Sequence, residues 1–245
     1  MTSAPPPASA PPPSALTASG LVKTYGTSTA LAGVDFTIRA GESVAIMGAS
    51  GSGKTTLLHC LAGIVRPDSG SVVLSAPQGP LDVTALDEAG RSRLRREAFG
   101  FVFQQGLLLP ELTAVENVAL PLMLTGADRR AAEQTAAMWL AALGLAGLES
   151  RRIGQLSGGQ AQRVAIARAQ TTGASVVFAD EPTGALDSVT SAEVMDALIR
   201  STTDRGRSLI VVTHDETVAA RCSRVLRLAD GRIVDGQIAD EVSAR

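Results

Sequence analysis

Residues 43–63 read SVAIMGASGSGKTTLLHCLAG. An apolar, β-branched run over Ser43–Met47 gives way to a glycine-rich loop. The loop opens a helix whose leucines fall on one side and which Gly63 closes as a C-cap glycine. Within it, Gly48, Ala49, Ser50, Gly51, Ser52, Gly53, Lys54 and Thr55 fit G-x-x-x-x-G-K-[ST] in the strand-then-helix setting that this pattern requires. Glycines let backbone N–H groups turn inward around an anion, and the helix N-terminus adds the positive end of its dipole. Lysine is otherwise almost absent: among 22 basic residues only Lys23 and Lys54 are lysines. A point-charge ammonium at this position suits phosphate contact in a way that a planar, forked guanidinium does not. The expectation is a phosphate-binding loop from Gly48 to Thr56, with Lys54 reaching the β/γ-phosphates and Thr55 ligating Mg2+.

Outward from this unit the strand–helix alternation recurs. Upstream, after Gly20, LVKTY and VDFTI are short β-like runs bounded by glycine. Downstream come SVVFAD (175–180), a helix over Ser191–Thr203, SLIVVTH (208–214), a short helix, and the terminal strands SRVLRLA and RIVDG. Strands alternating with helices predict a parallel sheet covered on both faces, with SVVFA and SLIVV as its fully buried strands. Residues 86–170 read mainly as helices: LDEAGRSRLRREA, AVENVALPLML, DRRAAEQTAAMWLAALG and GGQAQRVAIARAQ, interrupted by the strand FGFVF at Phe99–Phe103. This middle reads as an insertion into the sheet domain. Residues 1–19 hold six of the chain's 12 prolines among alanines and serines. With so little apolar surface they are expected to form a disordered tail, and the folded domain is expected over 20–240.

Composition removes several classes. In 245 residues, 45% are hydrophobic and 19% charged, a globular balance. A formal charge of −2 gives no bulk attraction to nucleic acid or to an anionic membrane. Two cysteines, Cys60 and Cys222, exclude a disulfide framework and a clustered metal site. The longest nearly unbroken apolar run, Ala136–Leu148, falls short of the ~20 residues of a bilayer-spanning helix and is expected as a buried helix. No basic residue precedes an apolar core at the N-terminus, which argues against a secretory signal. The expectation is a cytoplasmic protein with no direct membrane insertion.

The apolar strand ending in Asp180 and Glu181 has the Walker B arrangement: Asp180 is expected on Mg2+, and Glu181 as general base or orienter of the attacking water. Leu156-Ser-Gly-Gly-Gln-Ala-Gln-Arg163, shortly upstream, resembles the signature motif of the ATP-binding cassette (ABC) family. Ser157, Gly158, Gly159 and Gln160 then mark a second anion site at a helix N-terminus. In the family this site closes on nucleotide bound to the opposite subunit, so the resemblance implies two copies around two ATP molecules. It further implies that Tyr25 stacks on adenine, that Gln104 is the Q-loop residue contacting Mg2+ and the γ-phosphate, that Asp187 in the D-loop crosses the dimer interface, and that His214 is the switch histidine. His59 is expected to be structural. The implied fold is a P-loop NTPase of α/β class: a RecA-like core with an antiparallel β edge and an inserted α-helical subdomain over roughly 105–170.

The stretch from Arg91 to Leu124, RSRLRREAFGFVFQQGLLLPELTAVENVALPLML, resembles the macrolide-exporter and lipoprotein-releasing (MacB/LolD-type) branch. That resemblance implies a groove receiving the coupling helix of an FtsX/MacB-type membrane permease, with the chain peripheral on the cytoplasmic face of the membrane and export or extraction of lipoprotein, peptide or drug. Gln105 and Gly106 stand where branch members often have a bulky or aromatic residue. The arginines at 91, 93, 95 and 96 also read as a solvated helix face, and less readily as a nucleic-acid patch, since no aromatic residues interleave them. Two rival functions stay open on sequence: a mechanotransmission ATPase activating an extracytoplasmic enzyme, and the ATPase of a small-solute importer.

Overall fold

The computed structural model describes residues 14–238. Ten strands and seven α-helices follow in order: β1 (Ser14–Tyr25), β2 (Ser28–Arg39), β3 (Ser43–Met47), α1 (Lys54–Leu61), β4 (Ser69–Ala76), β5 (Gly79–Asp82), α2 (Glu88–Glu97), β6 (Phe99–Phe103), α3 (Ala114–Leu124), α4 (Arg129–Ala142), α5 (Gly158–Gln170), β7 (Val176–Asp180), α6 (Ser188–Thr202), β8 (Ser208–Val212), α7 (Glu216–Ala219), β9 (Arg224–Ala229) and β10 (Arg232–Ile238). A six-stranded sheet runs β10-β9-β3-β8-β7-β6, parallel except for β10. A four-stranded antiparallel sheet runs β2-β1-β4-β5. The early strands thus form a sheet of their own, facing the larger one across α1.

Period-two alternation sends each central strand's side chains to two different cores. Val44, Ile46, Val176, Phe178, Ile210 and Val212 point to one side, where α1 (Leu57, Leu58, Leu61) and the inner face of the antiparallel sheet (Leu16, Leu21, Leu31, Phe36, Ile38) complete the packing. Ala45, Met47, Val177, Ala179, Leu209 and Val211 point to the other, under α3, α4, α5 and α6. Because both faces are covered, β3 and β8 are buried at every residue. α5 packs on β6 and α6 as well as on α3 and α4, so the helical layer is riveted to the sheet through it.

Three readings change. The tail expected over 1–19 gives way at Ser14, because Leu16 and Ala18 alternate into the core at 0% and 2% exposure while Leu16 pairs with Leu74 of β4; residues 1–13 lie outside the described residues. β4 and β5 were not anticipated, since serines dilute the apolar alternation of SGSVVLSA. The run Ala136–Leu148 is not a buried helix: α4 ends at Ala142, burying Ala132, Ala136 and Leu140 while Met138 is 66% exposed. No helix among the described residues is long and apolar enough to cross a membrane.

Candidate nucleotide site

The loop between β3 and α1 lies at the carboxyl end of the parallel strands, where open α/β sheets hold ligands. Its glycines are demanded by backbone, not by side chains. A Cβ on Gly53 (φ +104°) would stand 2.2 Å from the Ala30 carbonyl oxygen, and one on Gly48 would stand 2.2 Å from that of Leu228. Gly231, in the turn between β9 and β10, donates its N–H to Ser52 O (3.1 Å) and accepts from Ala32 N–H (2.9 Å), so the loop is laced to both sheets. Lys54 is buried, its Nζ donating to the carbonyls of Gly48 (2.8 Å) and Ala49 (2.9 Å). No side chain caps α1. Its first-turn N–H groups therefore face the loop without a protein side-chain acceptor, the arrangement that binds phosphate. The Ser52 hydroxyl is buried there without a hydrogen-bond partner, a donor fit for an anionic oxygen.

Two acidic residues arrive on β7. Asp180 is its last residue; burial pushes its carboxyl up, while His59 and a hydrogen bond from Thr55 pull it back. Glu181 follows in the left-handed region (φ +46°), its N–H held by Val212 O at 2.9 Å. A non-glycine residue there stores ~1–3 kcal/mol of strain, which is characteristic of functional turns. The turn aims Glu181 Oε1 at His214 Nδ1, 2.8 Å away. Glu181 is 20% exposed at the side chain and His214, two residues beyond β8, 71%. Gly48–Gly51, Gly53, Lys54, Thr55, Thr56, Glu181 and His214 line one open cavity of about 610 Å3.

Other predicted positions lie elsewhere. Tyr25 is 51% exposed on the antiparallel sheet, with Lys23 Nζ 5.6 Å from its ring centroid. Gln104 does not line the cavity; it rests on the turn after Glu181, where a Cβ on Gly184 would meet its Nε2 at 2.8 Å. Ser157 caps α5 in a reciprocal box with Gln160 (Ser157 N–H to Oε1 2.9 Å, Gln160 N–H to Oγ 3.3 Å), and Gly158 is exposed. Gly159 is buried against Thr190 of α6. Asp187 caps α6 by accepting from Val189 N–H, Thr190 N–H and Thr190 Oγ1, and these bonds hold its carboxyl below the usual range. His59 is half-buried, and burial lowers its pKa. Three of the four arginines are hydrogen-bonded: Arg91 to Leu86 O and Glu88, Arg95 to Gly63 O and Glu88, and Arg96 to Ser92 Oγ one turn away. Sequence reasoning missed Ala30, which lines the cavity and braces Gly53 through its carbonyl, a contact with no side-chain signal.

Thr55 and Asp180 are hard oxygen donors suited to Mg2+, and no cluster of three His, Cys, Asp or Glu that could cage a metal occurs among the described residues. That scarcity fits Mg2+, which takes one or two protein ligands and fills the rest with phosphate and water.

The sequence pattern that defines the ABC transporter family matches residues 31–184. The chain is 47% identical over 216 residues to the macrolide export ATP-binding/permease protein MacB of Rhodopseudomonas palustris (strain HaA2), covering 88% of this chain and 32% of that protein. It is 48% identical over 211 residues to the pyoverdine export ATP-binding/permease protein PvdT of Pseudomonas aeruginosa, covering 86% and 31%. It therefore spans about a third of the length of these curated relatives. Among solved structures, the dimeric ATP-binding cassette MJ0796 in a post-hydrolysis state bound to ADP and Pi superposes with a TM-score of 0.82 at 36% identity, over 91% of this chain and 98% of that one. The cassette cbiO1 from Clostridium perfringens gives 0.84 at 28% identity, over 95% and 92%.

Proposed function

This chain belongs to the ABC transporter family as an ATPase cassette, and on that premise we propose that it is the motor of an export or extraction system, closing as a dimer on two ATP molecules and driving an FtsX/MacB-type permease. The observation that carries the reading is the division of the site. The phosphate loop, Glu181 and His214 share one cavity, while the N-terminus of α5 with Ser157 and Gly158 is exposed and lines no part of it. A second copy placing that helix end over the cavity completes the donors around the γ-phosphate; the MJ0796 dimer, 36% identical, supports such an assembly.

In this reading the loop amides and Lys54 hold the β- and γ-phosphates, Lys54 exchanging its two carbonyl acceptors for phosphate oxygens. Glu181 orients the attacking water, fixed by its strained turn and by His214. Gln104, reaching across Gly184, watches the same turn. Mg2+, held by Thr55 and Asp180, would offset charge on the β/γ oxygens. Catalysis is then positioning and charge stabilisation. Tyr25 is assigned to adenine, and Asp187 to the dimer interface.

The permease contact is assigned to a groove of about 480 Å3 lined by Ile64, Phe101, Phe103, Leu120, Pro121 and Leu124, the last 64% exposed. Its apolar walls suit a short amphipathic helix of a membrane partner, which would keep the chain on the cytoplasmic face of the membrane. The test is purification of Glu181→Gln from detergent-solubilised membranes with ATP. A closed dimer carrying a permease with a large extracytoplasmic domain is expected. A permease of importer type, or an attached extracytoplasmic hydrolase, would redirect the function, and recovery of nucleic acid without a membrane protein would remove the transport reading.

A further inference from the structure

Arg168 lies near the end of α5, the helix that Ser157 caps, and has no role in the chemistry above. Burial alone pushes the pKa of this guanidinium down, and no carboxylate pairs with it among the described residues. It spends its donors on backbone: Nη1 to Leu107 O and Nη2 to Gly106 O, each at 2.7 Å. Those carbonyls belong to the loop that follows Gln104. The loop is bent, with Gly106 at φ +67° and Leu107, not a glycine, at φ +46°. Its near end is tied as well, Gln162 Nε2 and Gly106 N–H both donating to Phe103 O at 2.9 Å. Gln104, between these ties, packs on Gly184, whose N–H donates to Glu181 O at 3.1 Å.

We propose that Arg168 is a positioning residue: its fork clamps two successive carbonyls of the strained 104–107 loop and so fixes where Gln104 meets the turn behind Glu181. The proposal rests on the reading that Gln104 serves hydrolysis. The geometry is specific to arginine, because two carbonyls presented side by side need two coplanar donors, and a lysine ammonium on a flexible stem cannot hold both in one orientation. The guanidinium is half-buried and its hydrogen bonds go only to loop carbonyls, so the conformation of that loop depends on it: removing the group costs both carbonyls their shared partner. The same guanidinium lines the groove assigned to the partner, so the strut runs from the groove wall to the Gln104 loop.

The experiment compares wild type, Arg168→Lys and Arg168→Ala by thermal melting, by amide hydrogen exchange over 104–109 without nucleotide, and by steady-state hydrolysis of Mg·ATP. In Arg168→Lys, which keeps charge and bulk, the melting temperature should stay within a few degrees while exchange in the loop rises about tenfold or more through local opening. Its kcat should fall about tenfold, with KM for ATP within about twofold, because misplacing a positioned group taxes the chemical step rather than phosphate binding. Arg168→Ala should reproduce the split more strongly. Unchanged loop exchange in Arg168→Lys overturns the strut, and faster exchange with wild-type kcat, or a rise in KM alone, overturns its link to Gln104. A wild-type chain that hydrolyses no Mg·ATP would overturn the proposed function instead, so the two failures are distinguishable.

Discussion

The molecule holds two glycine-rich helix N-termini, built on opposite principles. At α1 the backbone itself is over-determined: carbonyls of Ala30 and Leu228 press on Gly53 and Gly48, no side chain caps the helix, and the free amides face a cavity. At α5 the backbone is ordinary, with no positive φ at Gly158 or Gly159; a serine caps the helix, and the glycines make room for Leu186 and Thr190 on neighbouring elements. The first end is complete within one chain. The second has its amides partly satisfied by its own cap and stands exposed. Glycine-rich sequence is therefore not one signal: in one place it answers to the chain's own carbonyls, in the other to side-chain packing.

Three substitutions break or sharpen this contrast. Gly53→Ala should have the largest effect, since the obstructing atom is a backbone carbonyl that cannot swing aside and the φ of +104° is strained for any side chain. Destabilisation of ~1–3 kcal/mol is expected by denaturant unfolding, with ATP binding lost in titration; normal binding would mean that the loop is less pinned than its contacts indicate. Ser157→Ala should weaken the α5 cap by ~1 kcal/mol. It should leave ATP binding by dilute protein intact and depress hydrolysis most where activity depends on protein concentration; equal loss of binding would erase the distinction between the two ends. Gly159→Ala should be mildest, because the Cβ meets only Thr190 Cγ2, a side-chain methyl 2.4 Å away. A loss of ~1 kcal/mol is expected from overpacking. Thr190→Ser, which keeps the hydroxyl bonded to Asp187, should restore most of it, and failure of that rescue would show that backbone is the obstacle here too.

What was legible in the sequence follows the same division. β3, its loop and α1 could be read because the causes sit within twenty consecutive residues, and FGFVF, AVENVALPLML and GGQAQRVAIARAQ coincide with β6, α3 and α5 because each has clear boundaries. β4 and β5 escaped notice: serine and glycine mask the alternation of Val72 and Leu74, and Pro80 reads as a loop although it sits on an edge strand. The run Ala136–Leu148 reads as a buried helix because alanine counts as apolar, whereas small residues are equally at home on an exposed face and α4 ends at Ala142. At the site, Glu181 and His214 were visible as residue types, but the left-handed turn joining them was not, since backbone strain leaves no trace in composition. Arg168, Ala30 and Gly231 act through backbone carbonyls and amides, which every residue possesses.

The lacing of Ser52 to Gly231 bears on how the protein is made. β3 lies between β8 and β9, and the loop's last tie comes from the turn after β9. A ribosome must add 179 residues beyond Ser52 before that tie exists. At the ~5–20 residues per second of synthesis this is about 10–40 s. Through that interval the growing chain carries the glycine-rich loop without the turn that ties it to both sheets, so the loop reaches its final frame only after the strands on either side of β3 have been made.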